Sequence, residues 1–462
     1  MASTPGTPDN PLRVAIVGSG PAGFYAAGQL LADKERTVEV DVFDKLATPW
    51  GLVRYGVAPD HPKIKSVTRV YEKTAAKPGF RFHGNVEIGA DVSHEELASA
   101  YHAVLYAVGT ASDNKLGIPG EDRPGSHGAL EFVAWYNGHP DYADHDFDLS
   151  ARTVVVVGNG NVALDVARML ALDVSELQVT DTADHAIEVL ARSSVEEVVV
   201  LGRRGPAQAA FTNPELRELA DLHDADVIVD APEGTWIGLE GIEPTNERNV
   251  EILRDYQQAE PKGRRKRIVL RFGVSPVEIL GDGKVQGVRI VHNELVEDGG
   301  RVSARPTGES EVIEAQLVVR SVGYTGSPLP GVPFDGGKGT IHNQGGRVTH
   351  VGTEEPLPGV YTAGWVKRGP SGVIGTIKKC AQETVARLLE ALQAGLLPEP
   401  TTPPAALLEE LEGRGVEVVD YAGWELIDAH EKSLGEPHGR PRVKLVRRAE
   451  HLLHAAASKV RG

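Results

Sequence analysis

Short runs of apolar, β-branched residues recur along the chain and alternate with helical patterns. The first run, Leu12–Val17, leads directly into glycines, and a helical pattern follows from about Pro21 to Ala32. A second apolar run, Val38–Phe43, ends in Asp44. Strand, helix and strand in this order predict a βαβ unit with parallel strands.

The same pattern occurs a second time, about 140 residues later. It consists of a strand at Thr153–Val157, a helix from about Asn161 to Leu172 and a strand at Val195–Leu201. Two other apolar runs, Tyr101–Gly109 and Leu317–Gly323, are typical of buried strands and end in glycine. Two nucleotide-binding folds are therefore predicted.

The segment Gly359–Leu389 returns to strand, glycine-rich turn and helix, with the helix expected from about Ile377. We interpret it as the remainder of the first domain, resumed after an inserted second domain. The Pro-rich segment Pro398–Pro404 and the polar segment Asn293–Glu311 are interpreted as linker and surface hairpin.

The predicted fold class is α/β, with two Rossmann-like dinucleotide-binding domains, one inserted into the other. The discontinuous first domain is expected to comprise residues 1–112 and 325–462, with residues 1–10 disordered. The inserted domain is expected to comprise residues 113–324. A length of 462 residues fits two cores better than one.

The amino-acid composition limits the partners and the redox centres that this chain can have. A formal net charge of -17 argues against nucleic acid as the main partner. Because Cys380 is the only cysteine, the chain cannot form an intramolecular disulfide, a CxxC redox centre or a Cys-ligated iron-sulfur cluster. Any redox chemistry therefore needs a bound cofactor. No secretory signal and no membrane span is evident, so the expected location is cytoplasmic.

The first glycine-rich segment, residues 18–23 (GSGPAG), lies between a predicted strand and a predicted helix. In a dinucleotide fingerprint, Gly18 makes a tight turn, Gly20 lets the backbone approach a pyrophosphate, and Gly23 allows close helix packing. Asp44, 21 residues beyond Gly23, stands where a carboxylate binds ribose hydroxyls. A glycine turn without a ligand is the alternative.

The second glycine-rich segment, residues 158–163 (GNGNVA), is followed by a strand that ends at Arg203 and Arg204. No carboxylate stands there. Two guanidinium groups suit a 2′-phosphate, which favours NADP over NAD. The alternative is a pair of arginines on a solvated strand end. Two nucleotide sites in one chain suggest FAD at the first, with Asp44 on its ribose, and NADPH at the second.

A longer segment, residues 47–63 (ATPWGLVRYGVAPDHPK), resembles the signature of adrenodoxin-reductase-type ferredoxin-NADP reductases. The resemblance continues in the same order at residues 158–168, 202–205, 211–218 and 363–375, and extends from about Leu12 to residues 435–442. It implies an FAD-dependent enzyme that takes hydride from NADPH and passes single electrons to a ferredoxin-type iron-sulfur protein.

The resemblance also implies site residues. Those implied for FAD, besides the three fingerprint glycines, are Ala22, Asp44, Leu52, Ile88, Trp365, Gly372, Val373 and Ile374. Those implied for NADP are Asn159, Gly160, Asn161, Val162, Arg203, Arg204, Glu215 and Gly372. His61 and Glu218 are implied near the nicotinamide and the flavin edge, where they would position the ring and manage a proton, although a purely structural role for His61 is equally compatible. No metal is expected.

Ferredoxins are commonly acidic, and basic residues flank the predicted flavin loop, namely Lys367, Arg368, Lys378 and Lys379. A second basic run, Arg264–Arg267, is interpreted as a solvated charge run. An NADPH-dependent quinone reductase and a flavin monooxygenase remain alternatives with the same nucleotide sites. A non-catalytic, redox-sensing flavoprotein is a third. A disulfide reductase is excluded by the single cysteine.

Overall fold

The computed structural model describes residues 5–372 and 374–458. Their contacts divide the chain into two compact units. The first unit lies within residues 1–57, 61–112 and 324–462, and the second within residues 58–60 and 113–323. The first unit is therefore discontinuous in sequence.

The strands, numbered in chain order, are β1 (Leu12–Val17), β2 (Val38–Asp44), β3 (Phe80–Gly84), β4 (Ala103–Tyr106), β5 (Ser112–Asp113), β6 (Ser126–Gly128), β7 (Thr153–Val157), β8 (Glu197–Gly202), β9 (Ala225–Asp230), β10 (Lys266–Phe272), β11 (Val274–Leu280), β12 (Gly287–Asp298), β13 (Arg301–Glu314), β14 (Leu317–Arg320), β15 (Tyr324–Thr325), β16 (Phe334–Asp335), β17 (Thr340–Ile341), β18 (Asn343–Gln344), β19 (Arg347–Thr349) and β20 (Pro356–Thr362).

The α-helices are α1 (Pro21–Leu30), α2 (Leu52–Tyr55), α3 (Pro62–Lys65), α4 (Thr68–Ala75), α5 (His94–Ala100), α6 (Ala129–Tyr136), α7 (Asn161–Ala171), α8 (Val174–Leu177), α9 (Asp184–Ala191), α10 (Asn213–Glu218), α11 (Pro244–Gln258), α12 (Trp365–Arg368), α13 (Ile374–Gln393), α14 (Pro404–Gly413), α15 (Tyr421–Gly435) and α16 (Arg448–Ala455).

A seven-stranded sheet, in the order β18-β19-β20-β4-β1-β2-β3, forms the centre of the first unit. Strands β20, β4, β1, β2 and β3 are parallel to one another, and β18 and β19 add an antiparallel edge next to β20. Apolar cores cover both faces of the sheet, which explains why β1 and β4 are continuous apolar runs rather than alternating ones. The helices α1 and α13 pack together on one face.

A six-stranded parallel sheet, in the order β6-β14-β7-β8-β10-β9, forms the centre of the second unit. A separate antiparallel sheet, β11-β12-β13, packs its own apolar cluster against residues of this sheet. The predicted parallel strands and the two predicted βαβ units are thus confirmed, and so is the α/β fold class with two Rossmann-like halves.

Of three further expectations, two are confirmed and one needs correction. The segment Asn293–Glu311 forms the predicted surface hairpin: it lies within the paired antiparallel strands β12 and β13, and most of its residues are exposed. Only Val302 is buried among the first residues of β13, so the strand shows no clear alternation. The helix expected from about Ile377 begins at Ile374. The segment Pro398–Pro404 does connect α13 and α14, as predicted.

No helix within residues 5–372 and 374–458 has the length and apolar character needed to cross a membrane.

The C-terminal helices carry a buried ionic cluster in the first unit. Glu431 of α15 is fully buried and accepts hydrogen bonds from Arg54 (2.9 and 2.5 Å) and Arg442 (3.1 Å). Despite the cost of burial, the neighbouring guanidinium of Arg54 lowers the pKa of Glu431 to about 2. His451 of α16, 1% exposed, lies beside the same cluster.

His451 gives the first unit a predictable pH dependence. Burial lowers its pKa to about 4, with a further contribution from Arg54, while Glu431 opposes the shift. The unfolded chain, with a histidine pKa near 6.5, binds more protons between pH 6.5 and 4, so stability rises with pH in this window. We expect this group to reduce the free energy of unfolding by about 2 kcal/mol when the pH falls from 7 to 5.

The measurement is urea unfolding of the wild type and of His451→Gln at pH 7 and pH 5. The Nε2 atom of His451 bonds the Leu445 carbonyl oxygen at 3.0 Å, and a glutamine amide can replace that donor without titrating. The variant should lose less stability than the wild type on acidification. An identical loss in both proteins would contradict the assignment to His451.

Candidate dinucleotide-binding sites

The glycines of the first loop have separate structural reasons. Gly18 has φ +104°, and a Cβ there would lie 2.6 Å from the Ala107 carbonyl oxygen. A Cβ at Gly23 would lie 2.0 Å from the carbonyl oxygen of Gly18, so close packing requires glycine. Gly20 differs, because the nearest atom to its Cβ position is 3.9 Å away. The space beside Gly20 is therefore open for a ligand, at the N-terminus of α1.

Asp44 ends β2 and reaches back to this loop. Its carboxylate accepts bonds from the backbone N–H and the hydroxyl of Ser19 (2.9 and 2.5 Å) and from the N–H of Leu46 (2.9 Å). Burial raises the pKa of Asp44, while these donors oppose the shift. The carboxylate keeps free lone pairs for further donors, so a ribose hydroxyl is chemically compatible with this arrangement.

A turn with unusual backbone conformation lies against the first loop. Trp50 has φ +87° and Gly51 has φ +50°, and the Trp50 N–H donates to the Ser19 carbonyl oxygen at 3.0 Å. A Cβ at Gly51 would lie 2.9 Å from the Cα of Gly20. The turn leads into α2 and places the partly buried Leu52 beside the glycine loop.

Trp365 begins α12, directly after Gly364, whose Cβ position would lie 2.8 Å from Cβ of Ala22. The Trp365 and Tyr324 rings are stacked, with centroids 6.2 Å apart and an angle of 17° between their planes. The Trp365 Nε1 atom is buried and has no hydrogen-bond partner among the described residues. A buried donor of this kind fits a ligand rich in carbonyl and ring-nitrogen acceptors, such as a flavin.

The other residues implied for FAD are distributed as follows. Ile88 is 8% exposed and packs in the core cluster that includes Val17 and Phe43 of the first sheet. Gly372 has φ +82°. Val373, the next residue, lies outside the described residues. Ile374 is the first residue of α13.

The second glycine loop has the same structural features as the first. Gly158 has φ +123°, and a Cβ there would lie 2.1 Å from the Ser321 carbonyl oxygen. Gly160 precedes α7, and no neighbouring atom of the described residues lies within 4 Å of its Cβ position. Asn161 accepts a bond from the Thr212 N–H at 2.7 Å, which ties the loop to the segment before α10, while Val162 packs on the core. Asn159 is partly exposed beside them.

Gly160→Ala tests the open space directly. Its φ of -104° suits alanine, and the methyl group would meet no neighbouring atom in the part of the chain that the structure describes, so the melting temperature should stay unchanged. The methyl group would occupy the space that a pyrophosphate needs, and NADPH affinity should fall by about tenfold or more. Gly234→Ala, at another open glycine of the same unit, is the matched control. Unchanged NADPH binding in Gly160→Ala would contradict the assignment.

Arg203 and Arg204 follow β8 and line a cavity of about 270 Å³. Burial, reinforced by the positive charges of Arg203 and Arg301, lowers the pKa of Arg204. Neither arginine of the pair has an ion-pair partner among the residues that the structure describes. Two neighbouring cations repel each other, which costs free energy when no anion is bound, so this pair suits a phosphate.

Glu215 and Glu218 lie on α10 and face Arg168, a residue to which sequence reasoning assigned no role. Arg168 is 2% exposed, and its guanidinium is bonded to Asp60 (2.6 Å) and Asp165 (2.8 Å). Its NH1 group lies 3.6 Å from the Glu218 carboxylate and 3.9 Å from that of Glu215. Although burial opposes its charge, bonding to Asp60 raises the pKa of Arg168, so the cation is permanent.

His61 belongs to the first unit, where it is 7% exposed and precedes α3. Its predicted catalytic role, like that of Glu218, stays a prediction.

Of the four basic residues that flank the predicted flavin loop, two bind neighbouring residues and two are exposed. Lys367, with a side chain only 7% exposed, binds Glu383 at 2.6 Å, and Arg368 donates to Ser371. Lys378 and Lys379 are exposed on α13.

The run 264–267 is only partly the solvated charge run expected from sequence, because Arg265 and Arg267 are exposed while Lys266 is buried. Arg265 pairs with Asp224 at 2.7 Å, Arg267 pairs with Glu197, and Arg264 donates to the Ala225 carbonyl at 2.8 Å. Lys266, 6% exposed, donates to the Leu170 carbonyl at 2.9 Å. The reason is structural, because the run enters β10 between two strands.

Two parallel-sheet units, each with a glycine loop opening a helix and with different charges at the next strand end, define a pyridine-nucleotide-dependent oxidoreductase with two dinucleotide sites. The family model described as "Pyridine nucleotide-disulphide oxidoreductase" matches residues 12–199. The structure of Mycobacterium tuberculosis FprA in complex with NADPH superimposes with a TM-score of 0.91 at 50% identity, and the match covers 97% of this chain and 100% of that one.

Two curated relatives show which family within this class of oxidoreductases the chain belongs to. "NADPH-ferredoxin reductase FprA" of Mycobacterium tuberculosis is 51% identical over 96% of this chain and 98% of its own length. "NADPH:adrenodoxin oxidoreductase, mitochondrial" of Salvelinus fontinalis is 42% identical over 98% of this chain and 92% of its own. The chain belongs to the family of NADPH-ferredoxin and NADPH:adrenodoxin reductases.

Proposed function

We propose that this chain is an FAD-dependent ferredoxin-NADP⁺ reductase that oxidises NADPH and reduces a ferredoxin-type iron-sulfur protein. The observation that carries the proposal is the chemical difference between the two glycine loops. The first is followed by the buried carboxylate of Asp44, the second by the cations Arg203 and Arg204, which have no ion pair among the described residues. Bound FAD supplies the exchange between two-electron hydride transfer from NADPH and one-electron transfer to the partner.

The residues of the first unit have roles in holding FAD. The open space at Gly20 and the N-terminus of α1 accommodate the pyrophosphate, Asp44 accepts from the ribose, and the Trp365 Nε1 donor faces the flavin. Ala22, Leu52, Ile88 and the backbone at 372–374 complete the proposed contacts, which assigns residues 1–112 and 325–462 to an FAD domain.

The residues of the second unit have roles in holding NADPH. Gly160 and the N-terminus of α7 accommodate its pyrophosphate, and Arg203 and Arg204 bind the 2′-phosphate. Arg168, whose NH1 group lies 3.9 Å from the Glu215 carboxylate and 3.6 Å from that of Glu218, holds both side chains in place. Residues 113–324 are accordingly proposed as the NADP domain. Glu218 of this unit and His61 of the first unit are each proposed to help orient the reacting ring and manage a proton.

An acidic iron-sulfur protein is the proposed partner, with Lys378 and Lys379 as its contact residues and Arg368 beside them. Because its ammonium group binds Glu383, Lys367 contributes less charge to such a surface. The cytoplasm is the proposed location, supported by a sequence whose single cysteine forms no intramolecular disulfide.

The test is cytochrome c reduction by the purified holoenzyme with NADPH, with and without an added ferredoxin, repeated with NADH. A rate that depends on ferredoxin and is much higher with NADPH supports the proposal. Rapid NADPH oxidation that no ferredoxin increases would contradict it and point to a quinone or oxygen as acceptor. In the same assay, Lys378→Gln/Lys379→Gln should raise the KM for ferredoxin but not for NADPH; an unchanged ferredoxin KM would refute the contact surface.

A further inference from the structure

The cavity beside Arg203 and Arg204 contains a third arginine, which comes from a distant part of the chain. Arg301, the first residue of β13, lines the cavity together with the Arg203 and Arg204 pair. Ser275, Asn293 and Ser303 add neutral polar groups, and no carboxylate lines the cavity within the described part of the chain. Three cations converge on one space without a counter-charge.

The position of Arg301 is set by a tight hairpin. Asp298 and Arg301 are the closing pair of β12 and β13, and the two residues between them, Gly299 and Gly300, have φ of +55° and +77°. Positive φ at both central residues is the mark of a type I′ turn, which glycine permits. The chain therefore reverses over two residues and delivers Arg301 at a defined place.

The hairpin is anchored at two points. Near its tip, Val302 is 7% exposed, and a Cβ at Gly238 would lie 2.6 Å from Val302 Cγ2, so the two segments are in close contact. Further along β12, the Asn293 side chain donates to the Arg203 carbonyl oxygen at 2.9 Å. The Arg203 backbone and the strand opposite Arg301 are thus bonded to each other directly.

The charges support an anionic ligand. None of the three arginines has an ion pair with any residue in the ranges 5–372 and 374–458. Arg301 lines the same cavity as Arg203 and Arg204, and the pKa of Arg204 is lowered first by burial and then by the positive charges of Arg203 and Arg301. Such repulsion is relieved by a dianion placed between the guanidinium groups.

We propose that Arg301 is a specificity-determining residue that binds the 2′-phosphate of NADP(H) together with Arg203 and Arg204. The inference rests on the proposed function, because it takes the nucleotide to be NADP(H). It assigns a nucleotide-binding role to the β12-β13 hairpin, which lies outside the parallel sheet that carries the glycine loop.

The experiment is equilibrium titration of the holoenzyme with NADP⁺ and with NAD⁺, comparing the wild type with Arg301→Gln and Arg305→Gln. Arg305 is an exposed arginine on the same strand that does not line the cavity, so it is the matched control. Arg301→Gln should weaken NADP⁺ binding about tenfold and NAD⁺ binding less than about twofold, the scale of one charge-assisted hydrogen bond. Arg305→Gln should change both by less than about twofold.

Equal losses for NADP⁺ and NAD⁺, or a loss no larger than in Arg305→Gln, would overturn the role of Arg301. A wild type that binds NAD⁺ as tightly as NADP⁺ would instead refute the proposed function, so the two failures are distinguishable. Adenosine 2′-phosphate as a competitor should follow the same ranking as NADP⁺, whereas adenosine 5′-phosphate should not distinguish the variants.

Discussion

Replacing Glu431 with glutamine is expected to lower the free energy of unfolding by about 3–5 kcal/mol, the scale observed when one partner of a buried ion pair is removed. Glu431 is fully buried, and both of its oxygens bond the side chain of Arg54, which is itself 3% exposed. The amide would leave the Arg54 cation buried without a full counter-charge. Urea unfolding of the holoenzyme at pH 7 measures the effect.

The same change should also speed the loss of FAD. Arg54 is part of α2, which follows the Trp50–Gly51 turn at the first glycine loop. The Trp50 ring packs edge-on against Trp424 of α15, with centroids 4.8 Å apart, and the Arg442 guanidinium lies 5.7 Å from it. Loss of the ionic cluster would therefore loosen the turn that lies against Gly20.

The matched control for this prediction is Glu425→Gln, an exposed position on the same helix. It should leave both the unfolding midpoint and the rate of FAD release unchanged. If Glu431→Gln behaves like the control, the cluster does not support the turn. A loss of stability without faster FAD release would restrict its role to the C-terminal helices.

Replacing both Arg203 and Arg204 with alanine is expected to weaken NADPH binding by about a hundredfold or more, since each charge-assisted bond contributes about 1.5–3 kcal/mol. NADH binding should change little, because its ribose carries no 2′-phosphate. The two arginines share one cavity, and their mutual repulsion means that the losses of the single variants need not add.

The measurement is the KM for each nucleotide in flavin-dependent reduction of ferricyanide, together with the dissociation constant of NADP⁺. Arg203→Lys/Arg204→Lys should recover part of the affinity, because the charge remains while the planar fork is lost. Equal losses with NADPH and NADH would show that the pair does not recognise the 2′-phosphate.

The sequence by itself was sufficient for the parallel βαβ units and their glycine loops. Their signals are local: an apolar run such as Leu12–Val17 or Thr153–Val157, then glycines, then a helix of regular period. Glycine is also informative without a structure, because positions such as Gly18 and Gly158 need a positive φ that other residues rarely adopt. The sequence also indicated Asp44 and the Arg203–Arg204 pair, because each stands at the end of a predicted strand.

Only the tertiary structure decided which distant side chains join these loops. Arg301 reaches the cavity of Arg203 and Arg204 through a hairpin whose polar sequence predicted only a surface element. Glu431 pairs with Arg54 across 377 residues. Such contacts leave no periodic signal and no fixed spacing in the sequence, because they depend on how a long chain brings separate elements together. Once a charge is buried, it needs a counter-charge beside it.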